Sequence, residues 1–254
     1  MEYFTAIEAT YPLGGIGLAS FGPLDLNPES ATYGFITSTT KTAWRNFGIQ
    51  PALEKRLQRK IPIDTDVNGA VLAESVWGAA RGKQNAVYIT VGTGIGGGVL
   101  VNGELVHGLL HPEIGHMRIR ANEEWGDFKG VCIFHDYCLE GLASGPAIQA
   151  RWGKPAEKLA ADHPAWDAEA AILAGGVANL ILTISPQVII LGGGVMSQSQ
   201  LFPLIHARVR QLLNGYIQHP AILEYIEEYI VPPQLGKDAG LLGAAALAMR
   251  QAVS

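Results

Sequence analysis

The feature that most constrains the fold is a short loop that contains both cysteines of the chain, Cys132 and Cys138. His135 stands between them with two residues on either side, and His116 lies upstream. Cysteine and histidine are ligands that Zn²⁺ prefers, and four of them form a closed tetrahedral site without a position for water. We therefore predict a structural zinc at His116, Cys132, His135 and Cys138. The alternative is two ordinary buried thiols or a disulfide-prone pair.

Two acidic residues flank this loop, Glu113 on one side and Glu140 on the other. A metal that draws His116 towards Cys138 would bring both carboxylates to one cleft. Ionised carboxylates only accept hydrogen bonds, so a fixed pair favours recognition of a ligand with several hydroxyl groups.

Two glycine-rich turns follow predicted buried strands. The strand Ala86–Val91 leads into residues 92–94, Gly-Thr-Gly, and the later Asn102-Gly103 pair is a strong hairpin signal. The first turn is therefore the tip of a strand-turn-strand unit. A dinucleotide-binding Rossmann fingerprint is not indicated, because it needs a helix directly after its glycines.

The second glycine turn, residues 192–194, follows a predicted strand at 187–191. Each turn alone is more often an ordinary tight turn than a ligand site. Together with an acidic strand end at Asp66 they indicate a nucleotide cleft, in which backbone N–H groups bind phosphate oxygens.

Asp66 is the candidate general base. It ends the predicted strand 61–66 and precedes a helix predicted over 67–81. In phosphoryl transfer one carboxylate accepts the proton of the attacking hydroxyl, while the rest of the site positions groups and stabilises charge. The alternative is that Asp66 only caps its helix, a role that Asn68 could also fill.

The remaining pattern is that of an α/β protein. Strands are predicted at 13–20 and 229–231, and helices at 52–58, 143–152, Ala165–Ile184, from Ser197 to about 213, and 239–249, with a helix end at 2–11. A net charge of −5 gives no electrostatic footprint for nucleic acid. We expect no membrane span, because no apolar run approaches about 18 residues, and no signal peptide. A cytoplasmic setting is expected.

The combination of motifs resembles the ROK family of sugar kinases, and within it the bacterial fructokinases. The resemblance covers nearly the whole chain. It is carried by the glycine-rich segment 91–98, Gly103, Gly108, the Glu-Ile-Gly-His segment 113–116, the cysteine and histidine loop closing on Glu140, and the segments 20–25, 65–68, 141–146, 191–195 and 232–236.

The resemblance implies an actin-like ATPase (ribonuclease H-like) fold, with two α/β lobes around a cleft. We expect one lobe to comprise residues 1–82 with 238–254, and the other residues 83–237. The implied activity is ATP-dependent phosphorylation of a hexose, D-fructose to fructose 6-phosphate, with Mg²⁺ bound to ATP.

The resemblance also implies roles for individual residues. Asp66 would be the catalytic base, and zinc would be held by the four ligands predicted above. Sugar hydroxyls would be contacted by Thr65, Asn68, Glu113, His116 and Glu140, ATP phosphates by Gly92, Thr93 and Gly94, and adenosine by Gly192 and Gly193. The residue types at two positions, histidine at 135 and threonine at 65, resemble those of the fructokinase branch.

One departure from the family is expected to matter. Family members begin with a strand hairpin that carries an acidic-Gly-Gly-Thr phosphate loop, and roughly 40 residues, about two strands and most of a helix, are missing at this end. We therefore expect an incomplete first lobe, whose exposed strand edge is covered by residues 2–11 or by a second subunit.

Several readings remain open. The chain is an active fructokinase, a kinase that also accepts mannose or glucose, or a sugar-binding remnant without catalysis. A transcriptional repressor is disfavoured because no helix-turn-helix segment is found. We expect a homodimer.

Overall fold

The computed structural model describes residues 7, 11, 14–120 and 127–253, with side chains as far as residue 250. Most of the segment 2–11, predicted to end a helix and to cover a strand edge, lies outside the described residues. The observed elements otherwise follow the predicted α/β order.

A small parallel sheet leads into the helix that begins with Asp66. Strand β1 (Leu18–Ser20) pairs with β2 (Ile63–Thr65), and all three residues of β2 are buried. The chain continues from β2 into a helix without an intervening loop. Side chains that follow β2 are therefore fixed by both elements.

A five-stranded sheet forms the larger unit. It contains β3 (Ala86–Val91), β4 (Ile95–Val101), β5 (Glu104–Leu105), β6 (Val188–Gly192) and β7 (Ile230–Val231), in the order β5-β4-β3-β6-β7. Strands β3 and β6 are parallel, with Thr90 opposite Gly192. Because parallel strands end at the same edge of a sheet, the two glycine turns lie side by side, one after each strand.

The predicted hairpins are confirmed. Strands β3 and β4 pair antiparallel around residues 92–94, and β4 and β5 pair around Asn102 and Gly103. The glycines at 96–98 lie within β4. A Cβ at Gly98 would be 2.1 Å from the carbonyl oxygen of Val67, so the bare strand lets the helix that begins with Asp66 approach closely.

The helix Ala165–Ile184 has the predicted bounds, and the other helices predicted within the described residues are found with ends that differ by up to four residues. The observed helices are α1 (Ile49–Leu57), α2 (Asp66–Trp77), α3 (Leu139–Ala143), α4 (Gly145–Trp152), α5 (Ala165–Ile184), α6 (Leu201–Leu213), α7 (Pro220–Leu223), α8 (Ile226–Tyr229) and α9 (Ala239–Val253).

Two helices start later than predicted. The helix predicted from 143 to 152 is found as α4 and starts two residues later, because Ser144 ends α3 and caps α4 by accepting a hydrogen bond from the N–H of Ala147. The prediction that Ser197 caps α6 fails, because its hydroxyl donates to the carbonyl of Gly194 and the helix starts after Gln200.

Helix α5 is the central helix of the larger core. By length and composition alone it could cross a membrane, which the search for apolar runs in the sequence missed. More than half of it is buried in the protein, where Trp166 and Ile172 pack among apolar side chains beside α6. Core helices of this kind meet the same criteria without a membrane.

Helices α2 and α9 cross with their backbones nearly in contact. A Cβ at Gly243 would lie 2.5 Å from the carbonyl carbon of Gly69. Helix α9 also packs on β1, where a Cβ at Gly17 would be 2.0 Å from the carbonyl oxygen of Ala244. This close crossing holds α2 against the small sheet.

Candidate active site and metal centre

Asp66 is the first residue of α2 and is directed into the cleft. The N-cap of the helix is Thr65, whose hydroxyl accepts from the N–H of Asn68 at 3.0 Å. The alternative that Asp66 is the cap is therefore wrong. Burial raises the pKa of Asp66, against the opposing effects of the hydrogen bond from the Val67 N–H and the charge of Lys41.

Two cavities meet at Asp66. The acidic cavity, of about 410 Å³, is lined by the carboxylates of Asp66, Glu113 and Glu140. The glycine cavity, of about 650 Å³, is lined by the second glycine turn, residues 192–194, and by the segment around Gly236. Asp66 and Thr90 border both spaces. A carboxylate at this boundary can reach groups bound on either side.

Glu113 is held among other acidic groups. Burial raises its pKa to about 7, with further contributions from Glu140 and Asp66. His111 lies beside it, with Nδ1 at 3.6 Å from a Glu113 oxygen. Because Nε2 of His111 accepts the N–H of Leu24 at 3.0 Å, the ring proton of the neutral histidine is on Nδ1 and faces Glu113.

Glu140 connects the metal loop to the first glycine turn. It lies in the first turn of α3, and its Oε2 accepts a hydrogen bond of 2.9 Å from the N–H of Ile95. A Cβ at Gly94 would come within 2.7 Å of the same oxygen. A glycine at 94 thus allows the carboxylate to sit against the turn.

The first glycine turn lines the acidic cavity through Gly92, Thr93 and Gly94. The N–H of Gly92 donates to the carbonyl of Gly94 at 2.9 Å, and its own carbonyl accepts from the N–H of Gly145 at 2.7 Å. Gly92 therefore shapes the turn with both of its backbone groups.

The second glycine turn requires residues without side chains. Gly193 has φ of +93°, and a Cβ there would be 2.4 Å from the carbonyl oxygen of Val91. A Cβ at Gly192 would be 2.5 Å from the hydroxyl of Tyr88. By contrast, a Cβ at Gly194 would meet nothing within 4 Å. The second glycine turn therefore packs directly against β3, the strand that leads into the first turn.

The four predicted metal ligands come together. One donor atom from each of His116, Cys132, His135 and Cys138 lies within 4.8 Å of the others. The Cys132 sulfur is 3.8 Å from Nδ1 of His116 and 3.7 Å from Nδ1 of His135. Donors around a tetrahedral zinc stand about 3.6 Å apart at usual bond lengths, so the cluster fits the ion. Both cysteines are free thiols, without a disulfide.

Thr65 and Asn68 are positioned differently from the other predicted sugar contacts. Thr65 lines the acidic cavity, although its hydroxyl already caps α2. The Asn68 side chain is fully buried, donating to Asp64 at 2.8 Å and accepting from the N–H of Val99 at 3.3 Å. Asn68 therefore joins α2 to β4, and the structure does not bring it to the cavity.

Sequence reasoning missed several residues of the acidic cavity. Lys41 is the one lysine or arginine that lines it among the described residues, and its ammonium lies 3.5 Å from the centre of the Phe21 ring. His111 and Phe134 also line it. Lys41 and Phe21 come from loop or strand-end segments without periodicity, so no sequence signal marked them.

Comparison with known proteins identifies the family of this chain. A profile of the ROK family matches residues 4–251. A fructokinase of Zymomonas mobilis is 43% identical over 256 residues, covering 98% of this chain and 83% of the relative. A fructokinase of Pediococcus pentosaceus is 40% identical over 247 residues, covering 97% and 83%.

Among solved structures, the ROK hexokinase of Thermus thermophilus aligns with a TM-score of 0.72 at 30% identity, covering 93% of this chain and 78% of that one. The two-lobed, actin-like ATPase fold that the motifs predicted is therefore confirmed. With a family profile that spans nearly all of the residues and relatives of this identity, the chain belongs to the ROK family.

Proposed function

We propose that the protein is an ATP-dependent hexose kinase that converts D-fructose to fructose 6-phosphate. The observation that carries the proposal is the position of Asp66, at the boundary of a cavity rich in carboxylates and a cavity lined by glycines. Relatives called fructokinases, at 40–43% identity over most of the chain, support the choice of sugar.

In this proposal the acidic cavity binds the sugar. Glu113 and Glu140 accept hydrogen bonds from its hydroxyls, with Thr65 beside them. His116 turns Nδ1 towards the cysteines, which leaves Nε2 for a hydroxyl. Asn68 supports the site from behind by fixing α2 to β4.

Asp66 takes the proton of the attacking hydroxyl as the oxygen bonds to the terminal phosphorus of ATP and the bond to ADP breaks. The burial that raises its pKa makes the carboxylate a stronger base, which favours proton transfer. The proton stays on Asp66 and is released to solvent after the products, fructose 6-phosphate and ADP, have formed.

The glycine cavity binds the nucleotide in this proposal. Gly192 and Gly193 let the adenosine lie on bare backbone. The phosphates extend past Asp66 towards Thr93 and Gly94, while Gly92 holds the turn that presents them. Mg²⁺ enters with ATP, because it binds phosphate oxygens and usually needs only one or two protein carboxylates.

We further propose that the metal is structural zinc. When bound, it would hold together the loop that presents His116 and the start of α3, the helix that carries Glu140. Elemental analysis of protein purified without added metal should find one zinc per chain. Chelation should lower thermal stability and fructose affinity together. Metal-free protein with a Cys132–Cys138 disulfide would refute the assignment.

The predicted lobe boundaries, 1–82 with 238–254 and 83–237, are retained as a proposal. The two separate sheets and the packing of α9 on α2 and β1 support them. A cytoplasmic homodimer also remains a prediction, which sedimentation of the purified protein and fractionation of cells would test.

The decisive experiment is a coupled assay of sugar-dependent ADP release with fructose, mannose and glucose. Fructose should give the highest kcat/KM. Equal values for the three sugars would favour a kinase of broad specificity. Fructose binding without ADP release would indicate a sugar-binding protein without catalysis.

A further inference from the structure

A second buried carboxylate lies on the catalytic helix, at Glu74. Its side chain is fully buried and accepts three backbone hydrogen bonds. The donors are the N–H groups of Ala79 at 2.6 Å, Leu235 at 3.0 Å and Gln234 at 3.3 Å. Two of them come from a segment about 160 residues further along the chain.

That segment forms a wall of the glycine cavity. Pro232, Pro233, Gly236 and Lys237 line the cavity, and the two residues between them are the ones held by Glu74. The segment follows the two-residue strand β7 and continues through a short 3₁₀ turn into α9. The hydrogen bonds to Glu74 therefore join this turn directly to α2.

Glu74 and Asp66 share one rigid element. They are eight positions apart in the α-helix, which is about 12 Å along the axis. The same helix therefore carries the proposed base at its start and holds the wall of the nucleotide cavity near its end.

We propose that Glu74 is a positioning residue for the nucleotide, which sets the distance between Asp66 and the wall formed by residues 232–237. The inference depends on the proposed function, because it assigns the glycine cavity to the nucleotide. A carboxylate suits the role since it accepts on both oxygens, whereas the amide of glutamine would turn an N–H₂ group towards one of the donors.

The first test is Glu74→Gln, with Glu54→Gln as a matched control. Glu54 also accepts a backbone N–H, that of Ile61 at 2.9 Å, but it lines neither cavity. For Glu74→Gln we expect KM for ATP to rise about tenfold or more, the effect of an unpaired buried donor. KM for fructose and fructose affinity should stay within about twofold. Glu54→Gln should change neither constant.

The second test keeps Glu74 and removes a donor. The N–H of Gly236 donates to the carbonyl of Pro233, so Gln234 is the second residue of a four-residue turn, a position that favours proline. Gln234→Pro keeps the turn and deletes one hydrogen bond to Glu74. We expect a smaller rise in KM for ATP, severalfold, with fructose affinity unchanged. This variant decides the matter if Glu74→Gln does not fold.

The outcomes separate this inference from the proposed function. Calorimetry with ADP on the unaltered protein comes first, and a protein that binds fructose but no ADP overturns both. If the unaltered protein turns over and both variants keep its KM for ATP, only the role of Glu74 is overturned. A parallel loss of affinity for ATP and fructose with lower melting temperature would make Glu74 a general folding residue and would equally overturn the inference.

Discussion

The acidic cavity and the glycine cavity share Asp66, Val67 and Thr90 but are built by different means. The first contains several charged side chains, among them Glu113, Glu140 and Lys41. The second has only Asp66 and Lys237 as charged residues among the described residues that line it, and it includes Gly192 and Gly193, where a Cβ would clash with neighbouring atoms. The difference predicts that the first is sensitive to changes in charge and the second to added volume.

Removing the charge of Asp66, which belongs to both cavities, should have the largest effect. Asp66→Asn keeps the shape but cannot accept the hydroxyl proton, so kcat should fall about 100- to 10,000-fold while fructose affinity is nearly kept. A coupled assay and calorimetry measure the two. Asp167→Asn, a change in the first turn of α5 away from both cavities, is the control. Near-normal turnover of Asp66→Asn would show that Asp66 is not the catalytic base.

The second-largest effect should come from adding volume to the glycine cavity. Gly193→Ala places a methyl group 2.4 Å from a carbonyl oxygen at a positive φ, which costs about 1–3 kcal/mol for the backbone alone. Thermal unfolding should show this loss of stability, and ATP affinity should fall more than fructose affinity. Gly194→Ala has open space and should keep the melting temperature. Equal melting temperatures for both variants would contradict the packing described here.

Removing a charge from the acidic cavity without changing its volume should weaken only the binding of the sugar. Glu140→Gln should reduce fructose affinity by roughly 1–3 kcal/mol, the value of a hydrogen bond to a charged group. Titration calorimetry with fructose and with ADP measures both ligands, and ADP binding should be unchanged. An unaltered fructose affinity would exclude Glu140 from the sugar site.

The smallest effect concerns pH. The pKa of Glu113 is raised to about 7 from an unfolded value of 4.5, so between these values the folded protein binds more protons than the unfolded chain. Stability contributed by this group is therefore highest below about pH 4.5 and is lost as pH rises towards 7. Glu113→Gln should flatten the melting temperature over this range relative to the unaltered protein. Identical pH profiles would argue against a raised pKa.

Local signals predicted much of the fold and of the site. The strand Ala86–Val91 and the helix Ala165–Ile184 have the predicted bounds because both are long, apolar runs with clear ends. The clustering of His116, Cys132, His135 and Cys138 could be predicted because cysteine and histidine at this spacing are typical of metal sites. The side-by-side glycine turns follow from the same buried strands once their parallel pairing is known.

What could not be predicted depends on contacts distant in sequence. Lys41 reaches the acidic cavity from a loop that has no periodic pattern. The inward orientation of Asn68 results from the packing of α2 on β4. The glycines of β4 allow this close packing, but the sequence does not show which element lies against them. Glu74 looked like one more polar residue of a helix, because its partners are on a turn of another element.

The contact of Gly69 with Gly243 has a consequence for how the enzyme is made. The helix that begins with Asp66 is synthesised early, whereas α9, which crosses it backbone to backbone, leaves the ribosome much later. Until then α2 and the small sheet lack a main packing partner, and contacts of such long range form slowly. We therefore expect α2 to be fixed against the small sheet only late in synthesis, when α9 is available to pack on it.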